Sequence, residues 1–115
     1  MFALNFYSDI YLDVLRAHRK TVSIRLGDKT DKYRSGEIVW VTVGQRFGRR
    51  QKLFSAIIDR VDVKLIRDLS PREIQRENPA FHSADEVAGL LSRIYGQPIT
   101  LDHVVSVIHF SPVEE

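Results

Sequence analysis

The sequence predicts a small α+β domain, a mixed sheet or small barrel with flanking helices. Three observations carry that expectation. Val/Ile-rich runs with strand character occupy residues 3–7, 21–26, 38–43, 53–63 and 103–110. Two segments open with a serine followed three residues later by glutamate, Ser70-Pro71-Arg72-Glu73 and Ser83-Ala84-Asp85-Glu86, a pattern that starts helices. The strands follow one another as hairpins with one late returning strand. No glycine-rich turn joins a strand to a helix, so a dinucleotide-binding doubly wound sheet is not expected.

The bulk composition narrows the function classes. At 115 residues the chain can build one core, and one domain spanning residues 1–115 is expected. There is no cysteine, which excludes disulfides, a thiolate nucleophile and a Cys-based zinc site. The formal charge of +2 is too small to announce a nucleic-acid binder, so local clustering carries more information. No run approaches the roughly 18 apolar residues of a membrane span. The start, Met1-Phe2-Ala3-Leu4-Asn5, lacks the basic and long apolar regions of a signal peptide. A cytoplasmic protein with no membrane contact is expected.

Taken in order, residues 3–7 read as an opening strand. Ser8 is placed to cap a helix, and Asp9 to oppose its dipole. Tyr7, Ile10, Tyr11, Val14, Leu15 and His18 recur at helical spacing, and the helix should end near residues 17–19. Residues 21–26 return as a strand, with Val22, Ile24 and Leu26 on the core face. Thr21, Ser23 and Arg25 share the other face and should look into solvent or a cleft. Gly27–Lys32 is a turn-rich connector. Ile38–Val43, apolar on both faces, reads as a buried barrel strand with Trp40 in the core. Gly44–Lys52 reads as a loop carrying Arg46, Arg49, Arg50 and Lys52, before a strand over residues 53–63.

Further on, Ser70 caps, Pro71 fits the first helical position, and Leu69 and Ile74 can staple the entry. The helix should stop at Asn78-Pro79, because proline disfavours helix in the preceding residue. In the next helix Val87, Leu90, Leu91, Ile94 and Tyr95 form one apolar face, ended by Gly96 and Pro98.

The chemistry concentrates in His18-Arg19-Lys20-Thr21-Val22-Ser23-Ile24-Arg25, where three cations and two hydroxyls fall within eight residues. A serine hydroxyl becomes a nucleophile when a base takes its proton. Lysine can be that base if burial or neighbouring cations, here Arg19 and Arg25, lower its pKa. Taken alone, Lys-x-x-Ser reads first as a basic strand edge with a surface serine. Glu77, at a helix end, reads first as an exposed carboxylate. The dipole disfavours it there, so it gains from a cation such as Lys20 or Arg25. The histidines at positions 18, 82, 103 and 109 show no metal-ligand spacing and read as surface or satisfied side chains. The basic loop reads equally as a phosphate contact or as a solvated loop.

The same stretch resembles the ASCH-domain family of the PUA-like β-barrel superfamily, whose motif is Gly-x-Lys-x-x-Glu-x-Arg. The matching positions are His18, Lys20, Ser23 and Arg25, with histidine for glycine and serine for glutamate. Within that family, Arg19-Lys20-Thr21-Val22-Ser23-Ile24-Arg25 resembles the bacterial N4-acetylcytidine amidohydrolases, which carry a nucleophilic threonine where Ser23 stands. Ser35-Gly36-Glu37-Ile38-Val39, Gln75-Arg76-Glu77-Asn78, Ile94-Tyr95-Gly96 and Val107-Ile108-His109-Phe110 resemble further segments of that branch in the same order. The stretch around Gly44–Lys52 is more basic than the branch requires.

The resemblance implies a PUA-like barrel that removes the N4-acetyl group from a modified cytidine. Lys20 would be the general base, Ser23 the nucleophile and Glu77 the acid partner. Arg19, Thr21, Arg25 and Asn78 would surround the substrate. No cofactor and no metal are implied. The expected partner is a small nucleoside, met by a monomer. Two other readings stay open at this point. One is a non-catalytic RNA-binding module; the other is a ribonuclease with Lys20 activating a ribose hydroxyl.

Overall fold

A computed structural model of the chain describes residues 2–7, 11–45 and 48–114. The expected cap Ser8, its neighbours Asp9 and Ile10, and the loop cation Arg46 lie outside the described residues. Five strands form one curled mixed sheet: β1 (Ala3–Phe6), β2 (Val22–Leu26), β3 (Ile38–Val43), β4 (Gln51–Leu65) and β5 (Val104–Val113). The helices are α1 (Leu12–Arg16), α2 (Pro71–Glu77) and α3 (Ala84–Tyr95), with a 3₁₀ turn over Ile66–Asp68. The spatial order is β1-β3-β4-β5-β2. β1 runs parallel to β3, and all other pairs are antiparallel. This half-barrel with helices is the small α+β, PUA-like architecture expected from the sequence. Among the described residues no helix is long and apolar enough to cross a membrane.

Two packed clusters meet under α3. One holds Leu4, Phe6, Val39, Val41, Val43, Ile58 and Phe110 of the sheet, against Leu15 of α1 and Leu90 of α3. The other holds Val22, Ile24, Val105 and Val107, against Ile74 of α2 and Val87 and Leu91 of α3. Thus α3 spans the seam, giving Leu90 to one side and Val87, Ala88 and Leu91 to the other.

The helix starts behave as the sequence specifies. Ser70 Oγ accepts from the Glu73 N–H, and the Glu73 carboxylate accepts from the Ser70 N–H, closing the capping box before Pro71. Leu69 and Ile74 are both buried in the second cluster. At α3 the box is displaced. Ser83 Oγ takes the Glu86 N–H, but the Glu86 carboxylate accepts from the His82 N–H at 2.8 Å. Gly96 ends α3 in the left-handed conformation, φ 65°, which a side chain would strain.

Several expectations need correction. β3 is not buried on both faces. Val39, Val41 and Val43 face the core, while Ile38 and Trp40 are exposed, and the Lys52 ammonium lies 5.2 Å from the Trp40 ring centroid. The helices and core cover only one face of this part of the sheet, so Trp40 is a surface residue.

The basic loop is also shorter than expected. β4 begins at Gln51, which places Lys52 in the strand opposite Thr42. An irregularity at Val41/Thr42 and another between Ile58 and Arg60 bend this long strand. A side chain on Gly44 would collide with the Arg49 carbonyl oxygen, so glycine is required there. Finally, Ile94 and Tyr95 do not complete the buried stripe of α3. They are 43% and 41% exposed, for a reason that appears at the site.

Candidate active site

The turn from α1 into β2 sets the site. His18 has φ 55°, so the position occupied by glycine in the resembled motif does adopt the conformation glycine favours. Its ring stacks edge-on against Phe54 at 4.8 Å. This turn sends the Lys20 side chain inward. Its ammonium is completely buried and lies 4.6 Å from the Tyr11 ring centroid and 5.1 Å from that of Phe6.

Lys20 reaches the end of α2. Its ammonium donates to the Val22 carbonyl and to the Glu77 main-chain carbonyl, both at 2.6 Å, and forms an ion pair with the Glu77 carboxylate. The second carboxylate oxygen accepts from the Ile24 N–H at 3.2 Å. Because β2 is an edge strand, that N–H has no strand on its outer side, and Glu77 supplies the missing acceptor. The geometry also suits the helix dipole: a cation sits on an orphan carbonyl of the last turn. Glu77 is 4% exposed, so the first reading of it as a solvated helix carboxylate is wrong.

Ser23 lies between the two backbone groups that Lys20 and Glu77 hold. It is 1% exposed, and its oxygen accepts from Arg25 Nε at 2.7 Å. The Arg25 guanidinium is itself fixed. It donates to the Asn5 carbonyl at 2.8 Å and lies over the Phe6 ring at 5.1 Å. Asn5 is in turn held by Thr42 at 2.7 Å and by the Gly44 carbonyl at 2.9 Å.

These groups surround a cavity of about 140 Å³ at the seam between the two core clusters. Asn5, Phe6, Ser23 and Arg25 line it from the sheet, Tyr11 from the start of α1, Glu77 from the end of α2, and Leu90, Leu91, Ile94 and Tyr95 from α3. Ile94 and Tyr95 are exposed because the apolar stripe of α3 runs past the core to form the cavity wall.

Electrostatics follow from burial. Loss of solvent pulls the Lys20 pKa down to about 8, against the attraction of Glu77 and with a further push from Arg25. Arg19, expected to add to that push, is exposed and takes no part in it. The Tyr11 phenol is pushed well above its usual range, first by burial and then by the Glu77 charge. Among the described residues its hydroxyl has no completed hydrogen bond, although Asn78 lies close by.

The sequence-predicted residues therefore divide. Lys20, Ser23, Glu77 and Arg25 converge, with Lys20 enclosed behind the cavity rather than lining it. Arg19 and Thr21 stand outside. Thr21 contributes its carbonyl to the Phe110 N–H, and Asn78 caps α2 behind Tyr11. Sequence reading missed Asn5, Phe6, Tyr11 and Tyr95 as site residues. The signal for Asn5 was a polar side chain in the middle of an apolar strand.

Away from the cavity, Asp62, Glu73 and His109 place ligand-capable atoms within 4.8 Å of one another. The carboxylates are already engaged: Arg60 holds Asp62, and Lys64 holds Glu73, each at 3.0 Å. Burial, aided by Arg60, lowers the His109 pKa. A dication there would have to displace both basic side chains.

No protein-family model and no curated protein matches the sequence. Solved structures do match in fold. An ASCH domain from Lactobacillus crispatus aligns at TM-score 0.67 and 15% identity, over 94% of this chain and 77% of that one. A protein from Enterococcus faecalis aligns at TM-score 0.73 and 16% identity, over 98% and 80% of the two chains. A protein from Pyrococcus furiosus aligns at TM-score 0.58 and 17% identity, over 99% and 98%. The chain thus has the fold of the ASCH domain, within the PUA-like architecture.

Proposed function

We propose that this protein is an amidohydrolase that removes the N4-acyl group, acetyl in the first instance, from a cytosine nucleoside. The supporting observation is the buried Lys20–Glu77 ion pair, packed against the backbone on both sides of Ser23 at the edge of a small cavity. A buried ion pair costs desolvation and adds little net stability, so its presence here favours a chemical use.

In this reading Ser23 Oγ attacks the acyl carbon. Lys20, neutral in part because burial has lowered its pKa, is the final proton acceptor. Glu77 lines the cavity together with Ser23, whereas Lys20 is enclosed behind it, so the proton passes through the Glu77 carboxylate. Arg25, already donating to the Ser23 oxygen, stabilises the developing alkoxide. The C–N4 bond then breaks, the amine leaves with the transferred proton, and an acyl ester remains on Ser23. Water adds to that ester by the same proton path, releasing acetate and restoring the serine. The steps use the protein's own acid–base groups, with no metal or organic cofactor.

The test is acetyl release from N4-acetylcytidine, followed by loss of the acyl chromophore, with Lys20→Met and Glu77→Gln beside the parent. Turnover by the parent and loss in both variants supports the reading. A parent protein that never turns over the substrate yet binds RNA would replace it with the RNA-binding module.

A further inference from the structure

The cavity continues outward. Tyr7, Arg25, Ile94 and Tyr95 line both the inner cavity and a wider groove of about 520 Å³ beyond it. The groove adds Lys29, Lys32, Tyr33 and Gln45, so its lining carries three cations and no carboxylate. Among the described residues neither Lys29 nor Lys32 makes an ion pair. A groove beside α2 differs in this respect: Asp59 and Glu73 are interspersed there with Arg60, Lys64, Arg72 and Arg76, and Lys64 is bound to Glu73.

The two lysines sit on a fixed turn. The N–H groups of Lys32 and Tyr33 both donate to the Lys29 carbonyl, at 3.0 and 2.9 Å, and the Lys29 N–H donates to Ser106 Oγ at 2.8 Å. Tyr33 is buried and anchors the turn through its hydroxyl to the Ala3 carbonyl at 3.1 Å. Such a turn fixes the backbone that carries both lysines, so only their side chains remain to be ordered by a ligand. Lys32 lies over the Phe2 and Tyr33 rings and Arg25 is hydrogen-bonded, but none of the three cations meets a carboxylate in this groove, so a phosphate offers them a charge partner that a neutral nucleoside lacks.

We propose that this groove binds a phosphate of the substrate, so that the substrate class is an acylated cytosine nucleotide, free or within RNA, rather than the free nucleoside. The inference rests on the amidohydrolase reading for its acyl chemistry, but the phosphate site stands on the groove alone. Arg25 links the two, reaching the Ser23 oxygen at one end while lining the groove at the other.

The experiment has a kinetic arm and a binding arm. The kinetic arm compares kcat/KM for N4-acetylcytidine, its 5′-monophosphate and a short acetylated oligonucleotide. The binding arm measures cytidine, cytidine 5′-monophosphate and a short oligocytidylate by titration calorimetry, which needs no turnover. The proteins are the parent, Lys29→Ala/Lys32→Ala, and a charge-matched control, Arg60→Ala/Arg72→Ala. The expected preference for a phosphorylated ligand is roughly ten- to a hundred-fold. It should weaken with added salt, collapse to near parity in the lysine variant, and persist in the control. A preference shared by the mononucleotide assigns the phosphate to a free nucleotide; one confined to the oligonucleotide assigns it to RNA. Lysine-dependent phosphate binding without hydrolysis of any substrate retains the groove and discards the amidohydrolase. If neither phosphorylated ligand binds more tightly than cytidine, or if the preference survives loss of both lysines, the inference is overturned.

Discussion

Glu77→Ala probes the site's central contact. The substitution removes the ion pair to Lys20 and the acceptor for the Ile24 N–H, and leaves an ammonium with a fully buried side chain facing two carbonyls. Stripping one partner from a buried pair costs about 3–5 kcal/mol. A domain of this size loses ~4 °C of Tm per kcal/mol, so the melting temperature should fall by roughly 12–20 °C. Removing both partners is different. In Lys20→Met/Glu77→Leu no buried charge is left, and stability should recover to within about 2 kcal/mol of the parent. Activity should be absent from both proteins. Thermal and denaturant unfolding of the parent, Lys20→Met, Glu77→Leu and Lys20→Met/Glu77→Leu gives the complete cycle, with Glu77→Ala measured beside it. If Glu77→Ala melts within about 3 °C of the parent, the pair is not held in the folded protein as described, and its assignment to chemistry loses its basis.

Three further outcomes follow from the same geometry. Because burial lowers Lys20 to about 8, kcat/KM should rise with pH through an inflection near that value, and Lys20→Arg, which stays protonated, should be inactive at every pH. The same shift makes stability rise with pH between about 8 and the free lysine value of roughly 10.4, since the unfolded chain binds the extra proton there; denaturant titrations across that window check the sign. Tyr11→Phe removes a buried hydroxyl that lacks a completed hydrogen bond, so stability should hold or increase by up to about 1 kcal/mol; a loss of more than that in urea unfolding would mean the hydroxyl is paired after all.

Much of this arrangement was legible in the chain. Alternation over Val22–Leu26 placed Ser23 and Arg25 on one face and the core residues on the other, because a strand allows only two directions. The start of α2 was legible because its cap is local. The burial of Glu77 was not, since it depends on α2 docking along the edge of β2, a contact between segments more than fifty residues apart. Trp40 was misread for a related reason. An apolar strand does not reveal which of its faces the helices will cover. Ile94 and Tyr95 extended a helical stripe that sequence periodicity cannot divide into core and cavity wall. His18 is a different case: it stands where the resembled motif has glycine, and it occupies the left-handed conformation that glycine favours while its ring stacks on Phe54.

The central claim is that Ser23 carries the acyl group. The direct measurement is mass spectrometry of rapidly quenched protein after mixing with N4-acetylcytidine, alongside acetate release, for the parent, Ser23→Ala and Ser23→Thr. The account predicts an acetyl adduct on the Ser23 peptide of the parent, neither adduct nor release with Ser23→Ala, and retained turnover with Ser23→Thr, whose extra methyl a strand accommodates. Undiminished acetate release by a folded Ser23→Ala protein would contradict it, and would assign the attack to water activated by the Lys20–Glu77 pair.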